Sequence, residues 1–319
     1  MKRRATFIVI MAAMLVFSAC SNKDKDKDKE NTSSISSSSA ISSETSSKSN
    51  DLFPNSSQPE VSLPTTSSED ETKPTVATPI QVDGITINDV SQLENKKKGW
   101  GQGKQVDKAN RPLTCNEYQV KYAEYDAMFI MPDDEKKMYL TFDEGYENGY
   151  TATILDTLKE KNCPAVFFLT MPYVKQNPEL IKRMIDEGHV VGNHSVHHKS
   201  TPTLTVEEQV KEIVELHNYI VENFNYQMTL FRPPMGEWST QTLSVTKQLG
   251  YKTVFWSYAY LDYDVNNQMG VAKAFPRVTN AAHNGAIYLL HAVSKDNTEM
   301  LGDVVDTFRE KGYSLEKLQ

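Results

Sequence analysis

The side chains able to do acid–base or metal chemistry are unevenly spread along this chain. Asp143 and Glu144 sit together in TFDEGYENG, and His194, His197 and His198 in GNHSVHH. Arg232 stands in FRPPMGEWS, Asp262 and Asp264 follow FWSYAY, and His291 closes YLLH. Four of the seven histidines therefore fall in two short segments, which a scatter of solvated residues would not do. His194 and His198, four apart and accompanied by carboxylates, are candidate metal ligands. Two imidazoles and one carboxylate suit zinc or a similar first-row ion and leave positions open for water and substrate, as catalytic sites require. The HxxxH spacing alone also fits ordinary loop histidines. The lesser alternatives are a turn or cap residue for Asp143, a surface ion-pair partner for Arg232 and a core histidine for His291.

Each cluster follows an apolar run of strand length. These runs are 138–142 (MYLTF), 165–170 (AVFFLT), 189–193 (HVVGN), 229–233 (TLFRP), 253–257 (TVFWS) and 286–291 (AIYLLH). Helical patterns lie between them, at 148–161, 178–187, 205–224, 239–249 and 300–311. In the longest, Val206, Val210, Ile213, Leu216 and Ile220 recur at helical spacing, and Thr205 is placed to cap it. Strands alternating with helices predict an α/β fold with a parallel sheet. Residues 137–319 are fewer than the roughly 250 of a regular eightfold barrel. A truncated or distorted (β/α) barrel, or a doubly wound sheet, is expected. Either fold places its site at the C-terminal strand ends, where the clusters fall.

TFDEG, HSVHH, FRPP, the Asp after the FWS strand and LLH resemble, in order, the five motifs of the polysaccharide deacetylase family, the NodB-homology domain. The resemblance covers about residues 137–319. TFDEGYENGYT, LLHAVSKDNTEML and the upstream KKGWG are similar to the delta-lactam-forming de-N-acetylases of spore peptidoglycan. The resemblance implies a distorted (β/α) barrel, with Asp143 as general base and Arg232 holding that base ionised. It implies Glu144, His194 and His198 as ligands of a divalent ion, zinc with cobalt or manganese as alternatives. His291 would be the general acid, with Asp262, or alternatively Asp264, as its partner. A backbone N–H at Met235, after Pro234, would face the oxyanion. Two positions depart from the family pattern: Glu144 stands where Asp is usual, and Met235 where Tyr is usual. His197 has no assigned role, and Trp238, Trp256 and Tyr260 read equally as core or as sugar platforms. The implied reaction is deacetylation of muramic acid in peptidoglycan, leading to muramic δ-lactam. A general peptidoglycan or chitin-type N-acetylglucosamine deacetylase and a non-catalytic glycan-binding lipoprotein are the alternatives.

The N-terminus predicts export. Lys2, Arg3 and Arg4 precede an apolar run from Ala5 to about Phe17, too short to span a bilayer and ending in Ser18, Ala19 and Cys20. This resembles a lipoprotein cleavage box with Phe17 in the usual Leu position, so residues 1–20 are read as a signal peptide with Cys20 lipidated. The protein would then be anchored to the cell membrane, facing the wall. Residues 21–84 carry a Lys/Asp alternation and Ser-, Thr- and Pro-rich stretches, with 11 Ser among residues 31–50, and are read as a disordered tether. Residues 85–136 look irregular and are read as an N-terminal extension or cap. The net charge of −8 gives no support to a nucleic-acid partner. A monomer is expected. Cys115 and Cys163 make no disulfide framework, and Cys163 at the start of an apolar run is expected to be a packed thiol.

Overall fold

The computed structural model describes residues 77–81, 85–132 and 134–319. The expected signal peptide with Cys20 and most of the expected tether lie outside the described residues. The last part of that expected tether, 77–81, is described, and it packs: Ala77 is buried, and Ile80 N–H donates to the Asn218 side chain.

In chain order the strands are β1 (Lys98–Gly99), β2 (Ala127–Met128), β3 (Lys137–Glu144), β4 (Ala165–Leu169), β5 (Val190–Asn193), β6 (Leu230–Phe231), β7 (Glu237–Trp238), β8 (Lys252–Val254), β9 (Ala286–His291) and β10 (Ser314–Leu315). The helices are α1 (Leu113–Lys121), α2 (Thr151–Glu160), α3 (Met171–Gln176), α4 (Pro178–Asp186), α5 (Val206–Phe224), α6 (Thr240–Gln248), α7 (Val271–Thr279) and α8 (Lys295–Glu310). Eight strands form one sheet in the order β10-β3-β4-β5-β6-β8-β2, with β9 on the other side of β3. All its pairings are parallel. The sheet curls until its ends meet. A bridge joins Tyr258 to Tyr288, and Met131 N–H donates to Gly285 C=O at 2.9 Å. The result is the expected distorted (β/α) barrel rather than an open doubly wound sheet.

The strand interiors read as near-continuous apolar runs because both faces are covered, as parallel sheets require. Phe142, Ile154, Leu155 and Phe167 belong to the core between sheet and helices. Helix α5 starts as its sequence dictates. Thr205 Oγ1 accepts from Glu208 N–H, and Glu208 Oε2 accepts from Thr205 N–H, a reciprocal cap.

Residues 85–136 are more regular than their sequence looks. They contain α1, β1 and β2, and β2 is a full member of the sheet beside β8. Trp100, Tyr122, Phe129, Trp238 and Phe255 form one aromatic core, so this segment closes the barrel instead of capping it. Helix α7 escapes the sequence pattern because Pro276 lies inside it and Gly270 at its start supplies no side-chain cap. The runs at 229–233 and 253–257 shorten to two and three residues. Pro233 has no N–H to give the ladder, and the chain after Val254 bends toward β9. Cys115 and Cys163 are both buried and free. Among the described residues no helix is long and apolar enough to cross a membrane.

Closure depends on one residue without a side chain. Gly285 has φ 72°, and a Cβ there would lie 2.2 Å from Met131 O and 2.6 Å from Pro132 O. Neither is the tip of a flexible side chain, so the backbone itself would have to move. Gly285→Ala is expected to lose at least ~2 kcal/mol of stability, read as a lowered urea midpoint with an unchanged slope.

Candidate active site

The C-terminal ends of β3, β5, β6, β8 and β9 open onto one pocket of about 760 Å³, a volume suited to a sugar ring with its substituents. Asp143, His194, His198, Met235, Trp256, Tyr260 and His291 are among its walls.

Asp143 and His291 are register partners on adjacent strands, so their side chains emerge side by side. Asp143 Oδ1 accepts from Arg232 Nη1 at 2.7 Å, and Oδ2 lies 3.5 Å from His194 Nε2. Burial alone would raise the Asp143 carboxyl, but Arg232, then His194 and His291, hold it below the usual carboxylate range. Arg232 is fully buried and its other donors are used: Nε to Val254 O, Nη2 to Phe255 O. Its guanidinium also sits over the Phe168 ring, 4.1 Å from the centroid.

His194 Nδ1 lies 2.8 Å from Arg232 C=O. A carbonyl only accepts, so Nδ1 carries the proton and Nε2 presents a lone pair. Burial lowers the His194 imidazole to about 4, and it stays neutral at physiological pH. His198 packs beside it with ring centroids 4.8 Å apart, and burial lowers it too. The turn that sets the two rings together is strained: Ser195 has φ 71° and His198 φ 54°. Asn193 Oδ1 accepts from Ser195 N–H and Ser195 Oγ from His198 N–H, which fixes it. His197 lines the pocket as well, with its Nδ1 2.7 Å from Glu212 Oε1.

His291 Nδ1 donates to Asp262 Oδ1 at 2.7 Å, leaving Nε2 for the pocket. Burial would lower this imidazole, but the Asp262 carboxylate outweighs it and the net direction is upward. Asp262, not Asp264, is therefore the partner; Asp264 Oδ1 accepts from Asn266 N–H in its own loop. Met235 lines the pocket at φ 58°, while Pro234 is buried and forms no part of the wall.

The expectation for Glu144 is corrected. Neighbours on a strand face opposite ways. Thr141 and Asp143 share one face, and Phe142 and Glu144 share the other, toward the helices. Glu144 is fully buried, and neither of its oxygens has a hydrogen-bond partner. Its neighbours in charge are Glu147, Asp143 and Tyr173, not the two imidazoles. Burial, then Glu147 and Asp143, push it well above the usual carboxyl range. Among the described residues no three His, Cys, Asp or Glu side chains converge on one ion position. The donor chemistry of His194 and His198 fits a divalent ion, and Glu144 does not line the pocket they share.

Sequence reasoning missed two features of the site. Tyr146 and Tyr263, each about half exposed at 50% and 56%, stand at the pocket wall. Tyr263 packs edge-on against His291, with centroids 5.6 Å apart. Their positions beside Glu144 and Asp262 were the available signal. Trp256 and Tyr260 also reach the pocket, whereas Trp238 is core.

With this geometry in view, the relatives decide the family. The polysaccharide deacetylase family model matches residues 131–254. The peptidoglycan-N-acetylmuramic acid deacetylase PdaA of Bacillus subtilis is 41% identical over 227 residues, covering 71% of this chain and 86% of that protein. The chain belongs to the polysaccharide deacetylase family. The solved structure of Bacillus subtilis PdaA, described as a family 4 carbohydrate esterase, superposes with a TM-score of 0.67 over 70% of this chain and 96% of that one. A family 4 carbohydrate esterase from Bacillus anthracis, 37% identical, gives 0.59 over 70% and 95%.

Glu144→Gln tests the correction. The neutral amide should keep the deacetylase fold and leave metal affinity within about twofold, read by titration with zinc. A group raised on folding stabilises below its unfolded value, near 4.5, and that contribution fades as pH rises toward the folded value. The variant should therefore gain in urea midpoint over the wild type as pH climbs from about 4.5.

Proposed function

We propose that this protein is a hydrolase that removes the N-acetyl group of muramic acid residues in peptidoglycan. The observation that carries it is the adjacent Asp143–His291 pair, whose proton affinities are driven in opposite directions by separate partners. An acid–base pair for amide hydrolysis needs one group deprotonated and one protonated at the same pH.

Asp143, kept anionic by Arg232, accepts a proton from water as the oxygen adds to the acetyl carbon. The carbonyl oxygen takes the negative charge, and the backbone N–H at Met235 is the donor for it. His291 gives its proton to the sugar nitrogen as the C–N bond breaks, leaving a free amine and acetate. His194 and His198 would hold a divalent ion, zinc or alternatively cobalt or manganese. When bound, such an ion lowers the pKa of water and polarises the acetyl carbonyl. Tyr146 and Tyr263 supply apolar faces for sugar rings beside the pocket.

The similarity to PdaA supports muramic acid as the sugar. On a muramic acid without its stem peptide, the freed amine lies beside the lactyl carboxylate of the same ring, so lactam closure gains from proximity. The exported, Cys20-lipidated form would hold the catalytic domain near the wall from the membrane side.

Acetate release should be highest from peptide-stripped glycan strands and lower from intact peptidoglycan. Equal or faster turnover of chitooligosaccharides would move the assignment to an N-acetylglucosamine deacetylase. Asp143→Asn should lose on the order of 10²–10⁴ in kcat while still binding the glycan. Unchanged acetate release by that variant would defeat the mechanism. Chelator treatment should suppress acetate release, and added zinc, cobalt or manganese should restore it.

A further inference from the structure

Asp262 accepts three hydrogen bonds. One comes from His291 Nδ1 at 2.7 Å, one from His291 N–H at 2.8 Å, and the third from Asn297 Nδ2 at 2.7 Å. Asn297 lies on the first turn of α8 and is 1% exposed. Its Nδ2 also donates to His291 C=O at 3.1 Å, so one amide grips both members of the pair. The amide cannot turn over, because a flip would aim Oδ1 at the Asp262 carboxylate and the His291 C=O, and on its other side Oδ1 accepts from Tyr260 O–H. The start of α8 is fixed in turn by Ser294 Oγ, which accepts from Asn297 N–H at 3.1 Å and donates to Gln268 Oε1 at 2.6 Å. Gln268 Nε2 donates to Asp262 C=O. Every hydrogen-bonding atom of the Asn297 side chain is thus committed to keeping Asp262 against the imidazole.

We propose that Asn297, locked by Tyr260, is the positioning residue of the general acid: it holds the Asp262 carboxylate in the one orientation that presents it to His291 Nδ1. The inference rests on His291 being the acid of the proposed hydrolysis. Neither Asn297 nor Tyr260 touches the reacting atoms. A carboxylate with one side open could swing about its Cα–Cβ bond. His291 would then lose both the anion that favours its protonated form and the anchor that aims Nε2.

The charged and titratable groups around His291 come from several elements. Asp262 follows β8, Asp143 ends β3, Arg232 follows β6, and His198 lies in the loop after β5. The Tyr263 ring packs on its edge. Behind Asn297 lie Tyr260 and Asp296, and the Asp296 carboxylate is occupied by Gly270 N–H at 2.7 Å. Of these, only Asp262 bonds directly to the imidazole.

The test uses Asn297→Ala and Tyr260→Phe in the full chain. It reads kcat and KM for acetate release from peptide-stripped glycan strands across pH. It also reads the downfield proton signal of the hydrogen-bonded His291 Nδ1–H by NMR, which needs no turnover. Asn297→Ala should lower kcat by about 10–100-fold with KM within about twofold, as loss of an orienting partner does. The alkaline limb, where His291 loses its proton, should move down by about one pH unit. The Nδ1–H signal should move upfield and broaden. Tyr260→Phe removes one hydroxyl and should shift the same three readouts in the same direction by less, which keeps the test valid if Asn297→Ala fails to fold. A folded variant with the wild-type limb and Nδ1–H signal overturns the proposal, as does a limb that moves upward. His291→Ala separates the two readings: if it keeps wild-type activity, the assignment of the acid has failed, whatever Asn297 does.

Discussion

Arg232 is the fixed point of this site. Its side chain is wholly out of water, and its donors reach three places: Asp143 on β3 and the carbonyls of Val254 and Phe255 at the end of β8. Its own carbonyl receives His194 Nδ1 from the loop after β5. One residue therefore sets the charge of the base and the tautomer of a candidate ligand together. A buried ion pair costs much to desolvate, and removing one partner leaves the other stranded at about 3–5 kcal/mol. The additional bonds to backbone carbonyls and the Phe168 face below the guanidinium meet the condition under which such a pair persists. The arrangement also ties the ends of β3, β6 and β8 together.

Strain marks the same place. Among the described residues, three of the non-glycine positions in the left-handed region, Ser195, His198 and Met235, lie in the loops after β5 and β6. A side chain there costs on the order of 1–3 kcal/mol unless its surroundings compel it. Here the compulsion is visible: Asn193 Oδ1 and Ser195 Oγ brace the histidine turn. Below Met235, Gly236 lets the Trp256 ring approach to 2.7 Å of where a Cβ would be. Of the helices near these loops, α5, α6 and α8 begin with side-chain caps at Thr205, Ser239 and Ser294.

The parts legible in the sequence were those governed by local rules. Strand runs bounded by polar clusters located β3, β4, β5 and β9, and apolar periodicity with Thr205 as the cap located α5. The clusters at strand ends located Asp143, His194, His198, Arg232, Asp262 and His291 in one pocket region. The features that escaped depend on tertiary context. Residues 85–136 carry little periodicity, yet β2 gains its place through pairing with β8 and through the aromatic core around Phe129. Asn297 looks like any polar residue in the first turn of a helix, and only folding brings it to a loop 35 positions earlier. Motif order placed Glu144 beside the imidazoles, whereas strand alternation turns it to the opposite face of β3 from Asp143, which pairs in register with His291.

Three acidic side chains near this pocket consequently have three different fates, each set by what surrounds it. Asp143 meets a guanidinium and stays anionic, free to take a proton. Asp262 is enclosed by two donors from His291 and one from Asn297, so its oxygens are committed to orienting an imidazole. Glu144 lies buried without a hydrogen-bond partner near two other acids, and both effects push its carboxyl upward. The extra methylene of Glu over Asp lengthens the reach of this carboxyl into the layer of α2 and α3, beside Tyr173. The departure from the family's usual residue is therefore accommodated on the helix side of β3, and the pocket side retains its single, unshared base.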